Sequence, residues 1–419
     1  MSRRTGRTAT VIALGSAQTL AWASSYYLPA MLAQPMARSL GLSAPDIFAT
    51  FSVALIVSAL IGPRAGRLID QHGGRPVLAG TSLLFAAGLA LMAGSTSFTG
   101  VLLAWVVMGI AMGSGLYEAA FATIVRLHRL ESRHMITGIT LIAGFASTVG
   151  WPLSAWVSAQ WGWREACWTW AALHVMVGLP LNLSLPRAET GQELIAATAD
   201  VKDEPAIAEP GLAPVLALSF VFATTWFTST AMAAHFPRLL QGFGIGVAGA
   251  VGIAALIGPS QVAARLFEFG FLRRVHPLLS ARLATLTHPL GALGLLIIGA
   301  PAGIAFGVLH GAGNGVLTIA KGTLPLVLFG AQGYGHRQGM LMLPARIAQA
   351  FAPWLFGIAL DRWQGQALWL TTALGLLAFG TLMALGQLQK KPLQQQQAAL
   401  NQTSPTLPPP QRQRSKTKQ

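Results

Sequence analysis

Residues 59–70 read ALIGPRAGRLID, and residues 255–268 read ALIGPSQVAARLFE. Both stretches begin with the same five residues and continue with an Arg-Leu pair that is followed by an acidic residue. Two further features, a Gly-x-Gly triplet and a proline, recur at nearly the same spacing, at 113–115 and 313–315 and at Pro152 and Pro353. The repetition predicts a chain built from two similar halves.

The composition of the chain indicates the solvent in which these halves fold. Of the 419 residues, 53% are apolar and only 10% are charged, whereas a soluble domain carries about 25% charged residues. A soluble fold cannot cover so much apolar surface with so few charges. The lipid bilayer is therefore the expected environment, and helices are the expected elements, because a helix satisfies its own backbone groups in lipid.

Twelve segments approach the length of about 20 apolar residues that a spanning helix requires. The alternating segments of about ten residues that indicate a closed barrel are absent from the sequence. The first segment is too long, and too interrupted by polar residues, for a cleavable signal peptide. The predicted fold is an all-α polytopic membrane protein with twelve spans, numbered in chain order: 9–33, 45–66, 77–95, 99–125, 136–158, 165–185, 213–237, 246–268, 280–299, 301–329, 340–360 and 366–387.

The spans divide into two pseudo-symmetric six-helix bundles, and two polar segments lie outside them. The N-terminal bundle covers 1–185 and the C-terminal bundle covers 213–387. Between them, 186–212 holds six of the thirteen acidic residues and is predicted to be a cytoplasmic linker. The tail, 388–419, is rich in Gln, Pro, Lys and Arg and is predicted to be disordered.

The distribution of basic residues predicts the orientation in the membrane. With a cytoplasmic N-terminus, 22 of the 28 Lys and Arg residues lie in cytoplasmic segments or at cytoplasmic helix ends, and four lie on the opposite side. Both termini are then cytoplasmic, as an even number of spans requires. The net charge of +15 is thus mainly an orientation signal, and nucleic acid is not an expected partner.

The loop after span 2, residues 66–75 (GRLIDQHGGR), resembles the signature G-x-x-x-D-x-x-G-R-R/K of the major facilitator superfamily of secondary transporters. It matches at Gly66, Asp70 and Gly73. Arg75 takes the basic role, and a glycine precedes it where an arginine is usual. The resemblance covers the whole chain in topology, because twelve spans in two repeated halves are typical of that family.

The resemblance implies that this loop latches the cytoplasmic side of the molecule shut. Gly66 permits close approach of two helices, and Gly73 permits a tight turn. The negative charge of Asp70 suits a helix N-terminus, which the family pattern places in span 11 near Met340–Pro344. The alternative is a simple turn with orienting charges.

Two further groups of residues are interpreted through the repeat and the resemblance. Arg265 and Glu268 form an i,i+3 pair at the end of span 8 and are predicted to be the second half's version of the latch. In span 5, Gly144, Gly150 and Pro152 are similar to a Gly-rich motif of the superfamily's antiporters, although their spacing differs. Close helix packing is the alternative explanation of these small residues.

The resemblance also implies a setting and a mechanism. The substrate site is expected between the halves near mid-membrane, where rocking of the halves exposes it to each side in turn. The strings GSGLYEAAFATI and GAGNGVLTIAKGTLP in spans 4 and 10 are similar to those of a bacterial branch of uncharacterised permeases. A monomeric, multi-pass protein of the bacterial inner membrane is therefore expected.

Glu118 in span 4 and Lys321 in span 10 are the principal candidates for the transport site. A charge in the bilayer costs at least about 2.5–3.5 kcal/mol on insertion scales, so such residues are functional candidates by default. In the superfamily both of these spans line the central cavity. Lys321 is predicted to attract an anionic substrate group and Glu118 to carry a proton, while a static pair between them is the alternative.

Weaker candidates for the transport site lie in other parts of the sequence. Tyr26 and Tyr27 of span 1 and Tyr117 beside Glu118 are candidates for hydrogen bonding to substrate, although tyrosine is also a common interface anchor. His235 is a candidate gate or proton relay, with a satisfied buried histidine as the alternative. Asn314 is expected to line the cavity. Three other histidines within the spans are interpreted as isolated structural residues: His174, His288 and His310.

Several functional classes lack support in the sequence. No catalytic constellation, metal-ligand spacing or phosphate-cradling loop is present, so neither an enzyme nor a metal or cofactor is expected. A single cysteine excludes an intramolecular disulfide. The expected function is proton-coupled transport of a small organic anion, with substrate, protons and the lipid bilayer as partners. Export of drug-like or cationic compounds and a non-transporting membrane receptor are the alternatives.

Overall fold

A computed structural model of the chain describes residues 2–129, 132–187, 211–271 and 275–403. All regular elements in these ranges are helices, which confirms the predicted fold class. Nine helical segments of the described chain are long and apolar enough to cross a bilayer. The last of them, Tyr334–Gln387, contains spans 11 and 12, and spans 1 and 8 are each divided into two shorter helices.

The N-terminal bundle contains the first six predicted spans. Spans 1, 4, 5 and 6 are each interrupted, whereas spans 2 and 3 are continuous. The helices are α1 (Ser2–Ala23) and α2 (Leu28–Leu40) in span 1, α3 (Ala44–His72) in span 2, α4 (Gly74–Ala93) in span 3, α5 (Phe98–Gly115) and α6 (Tyr117–His128) in span 4, α7 (Ser132–Ala143) and α8 (Ala146–Trp161) in span 5, and α9 (Trp163–Leu173), a π-helical turn (His174–Gly178) and α10 (Leu179–Leu183) in span 6.

The C-terminal bundle contains the other six spans. The helices are α11 (Leu212–Gln241) in span 7, α12 (Val247–Ala255) and α13 (Ile257–Gly270) in span 8, α14 (Pro277–Ile298) in span 9, α15 (Gly303–Phe329) in span 10, α16 (Tyr334–Trp363) in span 11 and α17 (Leu368–Thr403) in span 12. Short 3₁₀ turns, Ala300–Ala302 and Gln364–Ala367, precede α15 and α17.

The repeated pentapeptide has a different backbone in the two halves. Span 2 continues through Pro63 as one helix, whereas span 8 is interrupted at Leu256, inside the second copy. A proline removes one helical hydrogen bond wherever it stands in a helix interior. The same five residues occur with and without a break, so contacts outside the pentapeptide decide whether the helix is interrupted.

The interruption of span 4 positions a candidate residue. Leu116 is extended, with φ −83° and ψ −164°, and separates α5 from α6. The preceding Gly-Ser-Gly triplet, 113–115, favours such an end because glycine is a poor helix former. Glu118 consequently lies in the first turn of α6, where the free N–H groups of a helix favour a negative charge.

The outer surface and the interior of the bundles differ as lipid embedding requires. Leu103, Trp156 and Ile297 are 59%, 55% and 78% exposed on the outside, whereas Trp105 and Trp170 are fully buried. Large apolar side chains on the periphery are unfavourable in water but stable against lipid tails.

The segments assigned outside the bundles are only partly described. Most of the predicted linker, 186–212, lies outside the described residues. The composition predicts disorder from residue 388, whereas α17 continues to Thr403. The Gln-, Leu- and Ala-rich sequence after residue 388 has a good helix propensity and extends the helix that precedes it. The remainder of the tail lies outside the described residues.

Candidate functional site

Glu118 forms an ion pair with Arg346 across the interface between the two bundles. The Arg346 guanidinium donates to both carboxylate oxygens of Glu118 at 3.0 Å. The Arg346 side chain is 4% exposed and the Glu118 side chain 17%. The alternative of a static pair between Glu118 and Lys321 is therefore not the pairing that the structure shows. Glu118 pairs with span 11 because of how α6 and α16 are rotated about their axes. Residue spacing within one helix does not predict that rotation.

The ion pair extends into a hydrogen-bonded network that reaches span 1. Arg346 also donates to the side-chain oxygen of Gln349 at 3.2 Å, and the Gln349 amide donates to the Tyr26 hydroxyl at 3.0 Å. Spans 1, 4 and 11 are thus joined through side chains. Arg346 lies within predicted span 11 and was therefore left out of the orientation count, and it was not among the predicted site residues, although a basic residue inside a span is itself a signal of a functional site.

Lys321 contacts an aromatic ring in place of a carboxylate. Its ammonium nitrogen lies 3.8 Å from the centroid of Trp226, and Arg346 approaches the same ring at 5.4 Å. The Lys321 residue is 5% exposed and forms no ion pair with a described carboxylate. A cation over an indole face is attracted by the ring quadrupole. This contact stabilises the charge of Lys321 without neutralising it.

Arg265 lies near Glu118, Arg346 and Lys321, at the part of the bundle interface that we call the central region. It does not form a second cytoplasmic latch. It is 6% exposed and donates to the carbonyl of Thr140 in the N-terminal bundle at 3.3 Å and to that of Gly315 at 3.4 Å. The expected pair with Glu268 is not formed, although Glu268 is also buried. The i,i+3 spacing permitted the pair, but Arg265 instead donates to the second lone pairs of two backbone carbonyls, one of them across the interface between the bundles.

Aromatic side chains line the same region. The Trp22 ring lies 4.8 Å from Tyr117 and 5.3 Å from Tyr26, and Tyr26 lies 5.5 Å from Tyr27. The structure therefore brings the three predicted tyrosines together around Trp22. Tyr27 and Tyr117 lie within electrostatic reach of Arg265.

Asp70 caps the N-terminus of α16 at the predicted cytoplasmic end. Its carboxylate accepts the backbone N–H groups of Gly335 at 2.9 Å and His336 at 2.8 Å. The expected position was Met340–Pro344, and the contact lies earlier because α16 begins at Tyr334. A carboxylate at a helix N-terminus is favoured by the free N–H groups and the helix dipole.

The glycines of this loop serve close approach and a turn. A Cβ on Gly66 would overlap the carbonyl oxygen of Gly335, so α3 and α16 cross at backbone contact. Gly73 has φ 82°, a conformation that side-chain-bearing residues rarely adopt. Arg75 lies in the first turn of α4 and forms no ion pair with Asp70.

The glycines of span 5 adjoin both bundles. A Cβ on Gly144 would collide with the Arg265 guanidinium, and one on Gly150 would lie 2.7 Å from the Cβ of Ala23. Pro152 lies inside α8. Gly144 therefore provides space for a charge at the centre, and Gly150 allows close packing of span 5 on span 1.

Two candidates lie away from the central network. His235 Nε2 bonds the carbonyl of Pro353 at 2.8 Å, within the C-terminal bundle. Asn314 lines a polar pocket between spans 7, 9, 10 and 12 of that bundle, which also contains His288 and His310. The central region therefore brings together Glu118, Lys321 and the tyrosines, together with Arg346, Gln349, Trp226 and Arg265, which were not predicted there.

Comparisons with known proteins give the family context. A family model described as Major Facilitator Superfamily matches residues 14–301. The human organic anion transporter MFSD10 (TETRAN) has a similar fold, with a TM-score of 0.68 and 18% identity over 90% of this chain and 99% of that chain.

Two curated relatives match shorter stretches of the chain. The multidrug resistance protein MdtL of Klebsiella pneumoniae (strain 342) is 29% identical over 148 residues, which are 34% of this chain and 37% of that protein. A probable 4-methylmuconolactone transporter of Cupriavidus pinatubonensis is 28% identical over 154 residues, which are 35% of this chain and 34% of that protein. The chain thus spans about a third of the length of these relatives.

Proposed function

This chain belongs to the major facilitator superfamily, and on that premise we propose that it carries a small organic anion across the membrane together with protons. As a family member it is a multi-pass membrane transporter and not an enzyme. The proposal places the anion in the central region and assigns alternating access, a monomer, and cytoplasmic termini in a bacterial inner membrane.

The balance of buried charge carries the proposal. Three basic side chains are buried in the described parts of the chain, Arg265, Lys321 and Arg346, and all three adjoin the interface between the bundles. Glu118 is paired with one of them. Lys321 also lies within electrostatic reach of Arg265, Arg346 and Glu118. Buried cations without carboxylate partners are costly, and a bound anion lowers that cost.

An anion can act on the Glu118–Arg346 pair as well as bind beside it. A substrate carboxylate can accept from Arg346 as Glu118 does, through the guanidinium nitrogen Nη2 that contacts both carboxylate oxygens of Glu118. In the proposed cycle, the substrate competes for the guanidinium and releases Glu118, which then takes up a proton. The two bundles lose one direct connection at that moment, so occupancy of the site is coupled to their relative movement.

The aromatic lining favours a planar substrate. Trp22, Tyr26 and Tyr117 surround the charged groups, and the indole of Trp226 lies under Lys321. Ring faces and edges stack with planar groups in offset or edge-to-face geometry. An aromatic or unsaturated carboxylate fits both the charge and the lining.

Export of a cationic drug is the less favourable assignment. A cation in this region would meet three buried positive charges, while Glu118 is already paired and the other buried carboxylate, Glu268, lies one helical turn from Arg265 and within electrostatic reach of Arg133. The relatives include both a multidrug resistance protein and a probable 4-methylmuconolactone transporter, so they support neither substrate class over the other.

The proposal is tested by ligand-induced thermal stabilisation of the purified protein. Benzoate and phthalate are compared with tetraphenylphosphonium and ethidium. We expect anions to raise the melting temperature, and K321Q and R265Q to weaken anion affinity at least about tenfold. Arg282 is the matched control, because it is basic and bonds the carbonyl of Leu382 away from the site, so R282Q should retain affinity. Stabilisation by the cations alone, lost in E118Q, would overturn the proposal.

A further inference from the structure

The C-terminal bundle contains a histidine pair that the central region does not use. The Nδ1 atoms of His288 in α14 and His310 in α15 lie 3.0 Å apart, and the residues are only 8% and 5% exposed. A bond between two Nδ1 atoms requires one of them to carry a proton and the other to accept it. The second ring nitrogen of His288, Nε2, is buried without a partner among the described residues.

A small pocket lined largely by threonine and serine adjoins this pair. It is a partly open cavity of about 30 Å³ between spans 7, 9, 10 and 12. Asn314 and Leu317 continue it along α15, and Leu317 stands about one helical turn from Lys321. Its lining has no charged side chain in the described chain and is rich in hydroxyl groups: Thr224, Thr225, Thr228, Ser229, Thr285 and Thr287.

We infer that His288 and His310 form a proton-binding site, separate from Glu118, that fills when an anion occupies the central region. When His288 donates from Nδ1 to His310, its Nε2 is a bare acceptor. A proton from water adds there, the Nδ1 bond remains, and His288 becomes an imidazolium beside the hydroxyl-lined pocket. Histidine suits this role because its ordinary pKa is near neutrality.

The coupling to the anion follows from charge and rests on the proposed function. Spans 7, 9, 10 and 12 surround the pair, and none of them brings a carboxylate to the pocket in the described chain. An imidazolium in such surroundings is costly, and a negative charge in the central region lowers that cost across the roughly 16 Å of α15 that separate His310 from Lys321. Anion binding therefore favours protonation, and by reciprocity a lower pH favours anion binding.

The other titratable groups on these spans are engaged elsewhere. His235 bonds the Pro353 carbonyl, Arg282 bonds the Leu382 carbonyl, Arg238 pairs with Asp361, and Lys321 lies over Trp226. None of them lines the pocket. The pair is therefore the titrating element of this pocket within the described chain.

The N-terminal bundle provides a matched control. His174 is also buried, but its Nε2 lies 2.7 Å from the Ser24 hydroxyl and its ring stacks on Phe85. It has a partner for the nitrogen that is free in His288. Replacement of His174 thus tests the effect of losing a buried histidine without losing the pair.

The experiment counts protons taken up per benzoate bound, by calorimetry in two buffers of different ionisation enthalpy at about pH 6 to 8, where benzoate is ionised. It is made in the E118Q background, so that Glu118 cannot supply the proton. We expect about one proton per benzoate in E118Q and in E118Q/H174N, and about none in E118Q/H288N and E118Q/H310N. Asparagine can replace the Nδ1 hydrogen bond without titrating, which protects folding.

The outcomes separate this inference from the proposed function. Equal proton uptake in E118Q and E118Q/H310N overturns the histidine site while leaving anion transport intact. Failure of benzoate to bind overturns the anion proposal. In that case the ligand-free protein is titrated with acid, and the site stands only if the protein binds a proton that both H288N and H310N lose and H174N retains.

Discussion

Gly144 gives Arg265 the space to cross from one bundle to the other. The guanidinium occupies the volume that a Cβ at this position would need, and it donates to the carbonyl of Thr140 in α7, four residues before Gly144. The residue that was interpreted through an antiporter motif is thus explained by packing against a charge. Its effect on the site is local, because the displaced group is the far end of a flexible side chain.

Replacement of Gly144 by alanine is therefore expected to displace Arg265 and weaken anion binding. The affinity for benzoate should fall about tenfold, or about 1.4 kcal/mol, measured by calorimetry. Gly138 in α7, the helix that ends one residue before Gly144, is the control, because a Cβ there would meet only the end of the Val11 side chain. Equal affinity of G144A and G138A would show that the position of Arg265 does not matter for binding.

The positions of helix ends and helix crossings determine where the carboxylates of Glu118 and Asp70 lie. The break at Leu116 makes Glu118 a first-turn residue of α6, and the start of α16 at Tyr334 provides the N–H groups that Asp70 accepts. Both features combine a carboxylate with a helix N-terminus, which stabilises negative charge. The sequence indicated the glycines that end or join these helices, but the exact start of α16 depends on the packing of α3 against it.

The crossing of α3 and α16 predicts different effects for two glycines one turn apart. G66A places a methyl group against the backbone of Gly335 and should destabilise the closed cytoplasmic side by about 1–3 kcal/mol. G62A should be tolerated, because its Cβ would lie 3.9 Å from the Cα of Gly339. The measurement is the rate at which a cysteine placed at Ala122, which is 1% exposed and lies beside Gly335, reacts with maleimide. Similar rates in the two variants would contradict a closure that depends on this crossing.

At the scale of the whole molecule, two bundles of the same topology meet at a region that holds both positive and negative side chains. The positive side chains outnumber the negative ones there. The Glu118–Arg346 pair joins them centrally and Asp70 joins them at one end. Further side-chain hydrogen bonds cross the interface, among them those of Arg265 and Gln349, and contacts of this kind can be exchanged for others at modest cost. The positive-inside distribution of Lys and Arg predicts that the Asp70 end faces the cytoplasm.

This orientation is testable with single cysteines, because the native Cys167 is buried. Thr96 and Gln332 are exposed in the loops that follow α4 and α15. On intact cells, a membrane-impermeant maleimide should label T96C and should label Q332C only after permeabilisation. The reverse pattern would place the termini outside the cell and overturn the assigned orientation.

The sequence by itself determined the environment, the spans, the duplication and the family signature of this protein. These properties depend on composition and on spacing along the chain, which apolar length, basic loops and repeated motifs report directly. The tertiary structure decided that Glu118 pairs with Arg346, that Arg265 stands at the centre, and that His288 meets His310. Such partners lie on different helices, and their meeting depends on the rotation, depth and crossing of those helices, which only the packed bundle specifies.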